Sequence, residues 1–165
     1  MDAETKQRPL TTRTRISLAI ARGIAAARGD GDLGATHVLL GLLREGRNPA
    51  ASVVEHADVA TSVIASELET ELGPRGDPQP RQVVLDLTQG EDALLRRADL
   101  EAQQRGEPYI GTEHLLLAIL SDEGNAASRV LSRHALSSAE ARAKMDEVTG
   151  GRHAPGEGRS ERPEA

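Results

Sequence analysis

Two histidines occupy equivalent places in this chain, and they are the residues that first suggest chemistry. His37 stands in the run GATHVLL and His114 in the run GTEHLLL. An imidazole could act there as a general acid or base, or bind a metal. A zinc site needs three or four ligands, however, and the chain has no cysteine and no further ligand at suitable spacing. We therefore predict that each histidine is structural and bonds the turn before its helix.

Other polar residues near predicted helix starts have a plain local role. Glu113 falls in a first helical turn, where the helix dipole stabilises a carboxylate. Thr11 and Thr88 precede helical runs and are predicted N-caps. A small hydrolase built on His37 or His114 would need a nucleophile with a matched base, and no motif supplies one. We assign no catalytic residue, no metal site and no cofactor.

The histidine runs belong to a longer internal repeat, in which His114 stands 77 residues after His37. The same offset, without a gap, matches Leu10 with Leu87, Leu18 with Leu95, Ala25 with Ala102, Asn48 with Asn125 and Val53 with Val130. Chance similarity rarely keeps one register over such a distance. The sequence therefore predicts two copies of one module.

Each copy is predicted to contain four helices, because apolar residues recur at helical spacing between caps and glycines. The first copy predicts helices at about 12–28, 36–45, 49–56 and 61–72, and the second repeats this plan from Gln89 to about Val148. The predicted caps are Thr11 and Asn48 in the first copy, and Thr88, Thr112, Asn125 and Ser137 in the second. Tyr109 is the only aromatic residue, so the core must be aliphatic, which favours closely packed helices. The predicted fold class is all-α.

Composition also predicts the boundaries. A polar leader covers 1–9, the first repeat 10–73, and a linker rich in proline 74–81. The second repeat covers 82–150, and 151–165 has the composition of a disordered tail.

Charge and hydropathy narrow the class of protein. The net charge of -6 disfavours a dedicated nucleic-acid binder, which usually needs a basic surface. No apolar run has the length of a membrane span or the form of a signal peptide. The absence of cysteine suits a reducing compartment. We expect a cytoplasmic protein whose partners are neither nucleic acids nor membranes.

The paired GATHVLL and GTEHLLL runs, each after a long helix that ends in Arg-Gly, resemble the amino-terminal repeat domain of the Clp (Hsp100) protein-unfolding ATPases. The resemblance covers 10–150. It implies an eight-helix domain of two tandem four-helix repeats with pseudo-twofold symmetry, which binds adaptors, substrates and phosphorylated arginine. The phosphate-binding run of the ATPase modules is missing, because neither Lys6 nor Lys144 lies in a GxxxxGK[ST] pattern. The chain is therefore expected to be the binding domain alone.

The resemblance also implies where phosphoarginine would bind. In relatives that bind it, the glutamate of each run faces the guanidinium, and the phosphate lies near the threonine that begins the repeat's first helix. The second repeat keeps Glu113 and Thr88, whereas the first keeps Thr11 and has Thr36 in place of the glutamate. A hydroxyl cannot form the charge-assisted pair that holds a guanidinium. These four residues are the candidate ligand-binding residues, and the second repeat keeps the better set.

The function that this resemblance implies is a non-catalytic module that binds proteins or peptides and modulates a Clp protease system. Its implied partners are Clp adaptors, substrates and phosphoarginine-bearing peptides, and both a helper role and a decoy role fit. The alternative is a helical DNA-associated regulator, since short helices with tight turns resemble helix-turn-helix units. The acidic balance and the lack of a helix with clustered Arg or Lys weigh against that alternative.

Overall fold

The computed structural model describes residues 6–77 and 89–149, and these residues form eight α-helices. The first four helices are α1 (Thr12–Arg28), α2 (Ala35–Glu45), α3 (Pro49–Val54) and α4 (Thr61–Leu72). The next four are α5 (Gln89–Gln104), α6 (Thr112–Ser121), α7 (Ala126–Arg133) and α8 (Ser138–Val148). The predicted all-α class with two four-helix repeats is confirmed. None of these helices is long and apolar enough to cross a bilayer.

Side-chain caps begin several helices, as the sequence predicts. The side chains of Thr11, Asn48, Asn125 and Ser137 each accept a hydrogen bond from a backbone N–H of the helix that follows. The prediction for α6 is wrong in detail, because Gly111 is the N-cap and Thr112 is the first helical residue. The cap predicted at Thr88 lies outside the described residues.

The two repeats pack together with pseudo-twofold symmetry. Contacts between the repeats occur in matched pairs: α3–α8 with α4–α7, α3–α6 with α2–α7, and α1–α6 with α2–α5. Exchanging α1 with α5, α2 with α6, α3 with α7 and α4 with α8 leaves this set of helix contacts unchanged. Helices α2 and α6 also contact each other, and the equivalent Leu39 and Leu116 are both completely buried. The two repeats therefore share one aliphatic core centred on α2 and α6.

Helix α2 lies very close to α1, and Gly41 makes this approach possible. A β-carbon at Gly41 would lie 2.4 Å from the carbonyl oxygen of Ser17 and 3.1 Å from the β-carbon of Ala21. Its counterpart in α6, Ala118, is also completely buried. The absence of a side chain at residue 41 therefore allows the backbone of α1 to pass at contact distance.

The end of the predicted leader is fixed against the second repeat. The Ile110 N–H donates to the Pro9 carbonyl oxygen at 2.9 Å. The Arg8 guanidinium lies 3.1 Å from the Asp99 carboxylate of α5. Residues 8–9, at the end of the predicted leader, therefore pack against the second repeat.

The start of the predicted linker is also packed. The Gly76 N–H donates to the Arg28 carbonyl oxygen at 2.7 Å, and the Arg28 guanidinium donates to the Gly73 carbonyl oxygen at 2.5 Å. These bonds hold residues 73–76 against the end of α1. The rest of the linker and the predicted tail fall in 78–88 and 150–165, which lie outside the described residues.

His134 joins the two repeats at the end of α7. Its Nδ1 lies 3.1 Å from Asp58 Oδ1, and its Nε2 bonds to the Glu67 carboxylate of α4. The Asp58 N–H also donates to the His134 carbonyl oxygen at 3.2 Å. The hydrogen bond to Glu67 raises the pKa of His134, and Asp58 adds to the effect, which together outweigh the lowering caused by burial. Protonated His134 therefore forms an ionic clamp between the repeats.

Replacing Gly41 by alanine should destabilise the fold. Because its β-carbon would meet the Ser17 carbonyl oxygen, we expect Gly41→Ala to lower the free energy of unfolding by about 1–3 kcal/mol. This loss would occur although alanine is intrinsically the better helix former. Chemical denaturation of the purified chain measures the change.

Gly23 of α1 provides the matched control, because a β-carbon there would meet nothing within 4 Å. Gly23→Ala should raise the free energy of unfolding by about 0.5–1 kcal/mol. A Gly41→Ala variant that gains stability like Gly23→Ala would contradict the close approach of α1 and α2.

Stability should depend on pH through His134. Since its folded-state pKa is raised, its contribution is fully present below the unfolded pKa of about 6.5 and is lost as pH rises through the folded pKa. We expect the melting temperature of the parent, relative to that of His134→Gln, to fall across this window. Thermal melts between about pH 5 and 9 test this. His56→Gln is the control, because the structure describes a bond from the His56 ring to the Ser52 carbonyl oxygen, within the same repeat. Parallel curves of melting temperature against pH for the parent and His134→Gln would refute the clamp.

Candidate functional site

His37 is held by two hydrogen bonds that confirm its predicted structural role. The Gly34 N–H donates to Nδ1 at 3.1 Å, which leaves the ring proton on Nε2. Nε2 then donates to Asp30 Oδ2 at 2.8 Å. Arg28 Nε also donates to this oxygen at 3.1 Å. Burial acts to raise the pKa of Asp30, but the bonds from His37 and Arg28 outweigh it and hold the pKa below its usual value.

His114 repeats the bond from glycine to Nδ1 before α6. The Gly111 N–H donates to its Nδ1 at 2.8 Å, and the side chain is completely buried. Both ring nitrogens of His37 are engaged, and neither is bonded to a hydroxyl. Among the described residues, no group of three or more His, Asp and Glu side chains could hold a metal ion. The bonds from Gly34 to His37 and from Gly111 to His114 agree with the predicted structural role of both histidines.

Glu113 has a buried carboxylate oxygen without a hydrogen-bond partner among the described residues. It lies in the first turn of α6, and only 7% of the residue is exposed. Its Oε1 is buried and has no hydrogen-bond partner among the described residues. A buried carboxylate without partners is costly, and a cationic group with N–H donors would satisfy it. This carboxylate is the centre of the candidate site.

Thr11 lies next to the start of α6, not next to the start of α2. Its N–H donates to the Ile110 carbonyl oxygen at 3.0 Å, and this oxygen also accepts from Thr14 Oγ1 at 3.0 Å. Its hydroxyl caps α1 by accepting from the Thr14 N–H, and the residue is completely buried. The start of α1 is therefore joined to the segment that leads directly to Glu113.

At the pseudosymmetric position, the start of α5 lies close to the start of α2. A β-carbon at Gly90 in the first turn of α5 would lie 2.6 Å from the Leu33 carbonyl oxygen, just before α2. Thr36 is buried in the first turn of α2, with 9% of the residue exposed, and Thr88 lies outside the described residues.

Each candidate site thus combines the start of the first helix of one repeat with the start of the second helix of the other. The sequence analysis paired Glu113 with Thr88 and Thr36 with Thr11, within each repeat. The structure instead places Thr11 near Glu113, and the start of α5 near Thr36. The constant offset could not reveal this exchange, because it aligns the repeats without showing how they pack.

Two cavities open on the described surface. One of about 560 Å³ lies between α4 and α7, and Arg133 at its edge pairs with Glu67 and Glu71. The carboxylates of Glu67 and Glu71 pair with Arg133 and so reduce the positive charge that it could offer to the DNA phosphates of the alternative function. The other cavity, of about 230 Å³, lies where α2 begins beside α5 and includes Gly90 and Asp122. Sequence reasoning missed it, although the change from Arg13 to Gly90 between the repeats was a visible signal.

Comparison with known proteins gives a consistent family and fold. Residues 9–134 match the family described as the Clp repeat (R) N-terminal domain. The chain is 31% identical over 140 residues to the negative regulator of genetic competence ClpC/MecB of Bacillus subtilis. This alignment covers 85% of the chain but 17% of that relative, so the chain spans less than a fifth of the relative's length.

Two solved structures share the fold at lower sequence identity. The N-terminal domain of the ClpV1 ATPase from E. coli is 22% identical, with a TM-score of 0.67, and covers 90% of this chain and 91% of that domain. A structure described as a peptide from the SciI protein of the EAEC type VI secretion system is 23% identical, with a TM-score of 0.66. It covers 89% of this chain and 95% of that chain.

Substitutions of Thr11 and Glu113 should affect the free energy of unfolding differently, because Thr11 supports the fold and Glu113 does not. Thr11→Ala removes an N-cap, so we expect the free energy of unfolding to fall by about 0.5–2 kcal/mol. Glu113→Thr copies the residue of the first repeat and removes a buried oxygen without a partner. We expect it to leave the stability unchanged or to raise it by up to about 1 kcal/mol. Urea denaturation of the two variants beside the parent measures both effects, and a large loss of stability in Glu113→Thr would show that this carboxylate is structural.

Proposed function

The chain belongs to the Clp repeat (R) N-terminal domain family, and on that premise we propose that it is a non-catalytic docking domain. It binds adaptor or substrate proteins and thereby modulates a Clp protease system. The similarity to ClpC/MecB supports the link to Clp machinery. The solved structure described as a peptide from SciI shares this fold, and its description supports a polypeptide ligand.

The chemistry of the ligand follows from one observation, the buried Glu113 oxygen that has no partner. A guanidinium is the group that best satisfies a carboxylate, because its N–H donors form a planar fork. Backbone N–H groups at a helix start favour negative charge, and the starts of α1 and α6 are neighbours here. A phosphorylated arginine carries both groups. We therefore propose phosphoarginine in a protein or peptide as the ligand of this site.

The contribution of the threonines differs from that of the glutamate. The Thr11 hydroxyl already caps α1 and is completely buried. We therefore propose that backbone N–H groups at this helix start donate hydrogen bonds to the phosphate. Thr36 occupies the position of Glu113 in the first repeat but offers no charge. The site at Glu113 should consequently be the stronger one.

The wider biological role is part of the same proposal. We propose a cytoplasmic location, which the absence of cysteine suits because the cytosol is reducing and its proteins rarely contain disulfides. Both a helper that delivers marked proteins and a decoy that captures them use the same docking site. We propose no cofactor, because docking through a carboxylate and a helix start needs none.

Calorimetric titration of the full chain with free phosphoarginine tests this site. We expect binding to the parent, and about tenfold weaker binding to Glu113→Ala, because one charge-assisted hydrogen-bond pair is lost. Thr36→Ala is the matched control in the other repeat and should change the affinity by less than about twofold, since it removes no charge.

Titration with unmodified arginine measures the contribution of the guanidinium without that of the phosphate. It keeps the guanidinium but lacks the phosphate, so it should bind the Glu113 site more weakly than phosphoarginine. Absence of heat with phosphoarginine in the parent, or equal affinities in Glu113→Ala and Thr36→Ala, would remove the proposal.

A further inference from the structure

Residues 8–10, which precede α1, form a short extended strap along the second repeat. Proline at position 9 disfavours the helical conformation at Arg8, and its fixed φ keeps the chain extended. The Pro9 carbonyl oxygen accepts from the Ile110 N–H at 2.9 Å, and the Ile110 carbonyl oxygen accepts from the Thr11 N–H at 3.0 Å. These two bonds form a parallel β-bridge. The strap is thereby joined to the segment that leads directly into α6.

Arg8 links the strap to two elements of the second repeat. Its Nη1 and its backbone N–H both donate to Asp99 Oδ1 of α5, each at 3.1 Å. Its Nε donates to the Glu107 carbonyl oxygen, in the loop between α5 and α6, at 3.0 Å. The side chains of Arg8 and Asp99 are 27% and 15% exposed, so water screens this ion pair only partly. One guanidinium thus connects the strap to α5 and to the loop before α6.

The sequence of the first repeat does not repeat this ion pair. At the offset of 77 residues, Leu85 corresponds to Arg8, and a leucine cannot form an ion pair. The counterpart of Asp99 is Arg22, which has the opposite charge. Arg22 Nη2 instead donates to Glu91 Oε1 of α5 at 2.5 Å. The ion pair of the strap is therefore specific to the repeat that has kept the candidate carboxylate.

The strap links the two helix starts that form the candidate site. Thr11 follows the strap directly and is the N-cap of α1. Ile110 is completely buried and precedes Gly111, which is the N-cap of α6. A site that uses two helix starts binds best when their relative position is fixed before the ligand arrives. The strap supplies this fixed position, because its bonds reach both starts.

We propose that Arg8 is a positioning residue of the Glu113 site. Its ion pair with Asp99 and its bond to the Glu107 carbonyl oxygen hold the starts of α1 and α6 in the arrangement that binds the ligand. Arg8 acts through the backbone and makes no contact with the ligand. The affinity of the site therefore depends on whether the strap is attached. The inference rests on the proposed function for the identity of the ligand, whereas the link between the helix starts rests on bonds within the chain.

Calorimetric titration of the full chain with free phosphoarginine tests the effect on affinity. We expect about fivefold weaker binding to Arg8→Gln than to the parent, because loss of a partly buried ion pair loosens a preorganised site. Arg8→Lys keeps a positive charge beside Asp99 and should bind more tightly than Arg8→Gln. Arg22→Gln is the matched control, because it weakens the ion pair at the start of α5, and it should change the affinity by less than about twofold.

A double substitution distinguishes positioning from general stabilisation. The relative position of two helix starts matters only while both bind the ligand. Arg8→Gln should therefore weaken binding by less than about twofold when Glu113 is already replaced by alanine. A residue that only stabilised the fold would lower the melting temperature and leave the affinity of the folded protein unchanged.

Hydrogen exchange of the unliganded chain, followed by NMR, tests the link between the helix starts without a ligand. In Arg8→Gln the amides of Thr11 and Ile110 should exchange about fivefold faster than in the parent, because their hydrogen bonds join the strap region to the second repeat. The amides of Ala51 and Ser128 donate to the caps of α3 and α7 and provide the reference. Their exchange should be the same in both proteins.

Equal affinities of the parent and Arg8→Gln would overturn the proposal, and so would equal effects of Arg8→Gln and Arg22→Gln. Unchanged exchange at Thr11 and Ile110 would also overturn it. Absence of phosphoarginine binding to the parent would instead remove the proposed function. The exchange rates would then still decide whether Arg8 holds the two helix starts together.

Discussion

The close approach of helices around the buried pair α2 and α6 is the constraint on which the rest of the structure depends. The chain has almost no aromatic residues, so the core gains its stability from many aliphatic contacts at short distance. Gly41 permits such a distance, because even a β-carbon there would overlap the backbone of α1. Once α2 and α6 are enclosed in this way, the starts of the first and second helices of opposite repeats are brought side by side, which creates the candidate sites.

Much of this fold could be predicted from the sequence, because duplication fixes local structure twice. Thr11, Asn48, Asn125 and Ser137 were all recognisable as caps, since capping depends on residues three positions apart. The partners of His37 and His114 were predictable for the same reason. The pairing of Thr11 with the start of α6 was not predictable, because it depends on how two similar units exchange contacts across 99 residues, from Thr11 to Ile110. The clamp at His134 was missed for the same reason.

The two repeats have kept the core and have diverged in their polar contacts. Leu39 and Leu116 are equally buried. By contrast, Glu113 corresponds to Thr36 in the other repeat, Arg13 to Gly90, and His134 to Ala57. Substitutions at helix starts and ends change few core contacts, so they cost less stability than substitutions inside a core. A duplicated fold can therefore acquire two unlike binding sites while its packing remains symmetric.

This divergence also explains why comparison of the repeats with each other is informative. Where both repeats keep a polar contact, as in the bonds from Gly34 to His37 and from Gly111 to His114, the contact serves the common fold. Where one repeat loses a partner and the remaining group stays exposed or unbonded, the fold has not compensated for the loss. Glu113 Oε1 is such a group. Because a buried carboxylate gains much from a guanidinium, our proposal puts the arginine ligand at Glu113, where the symmetry of the polar contacts fails.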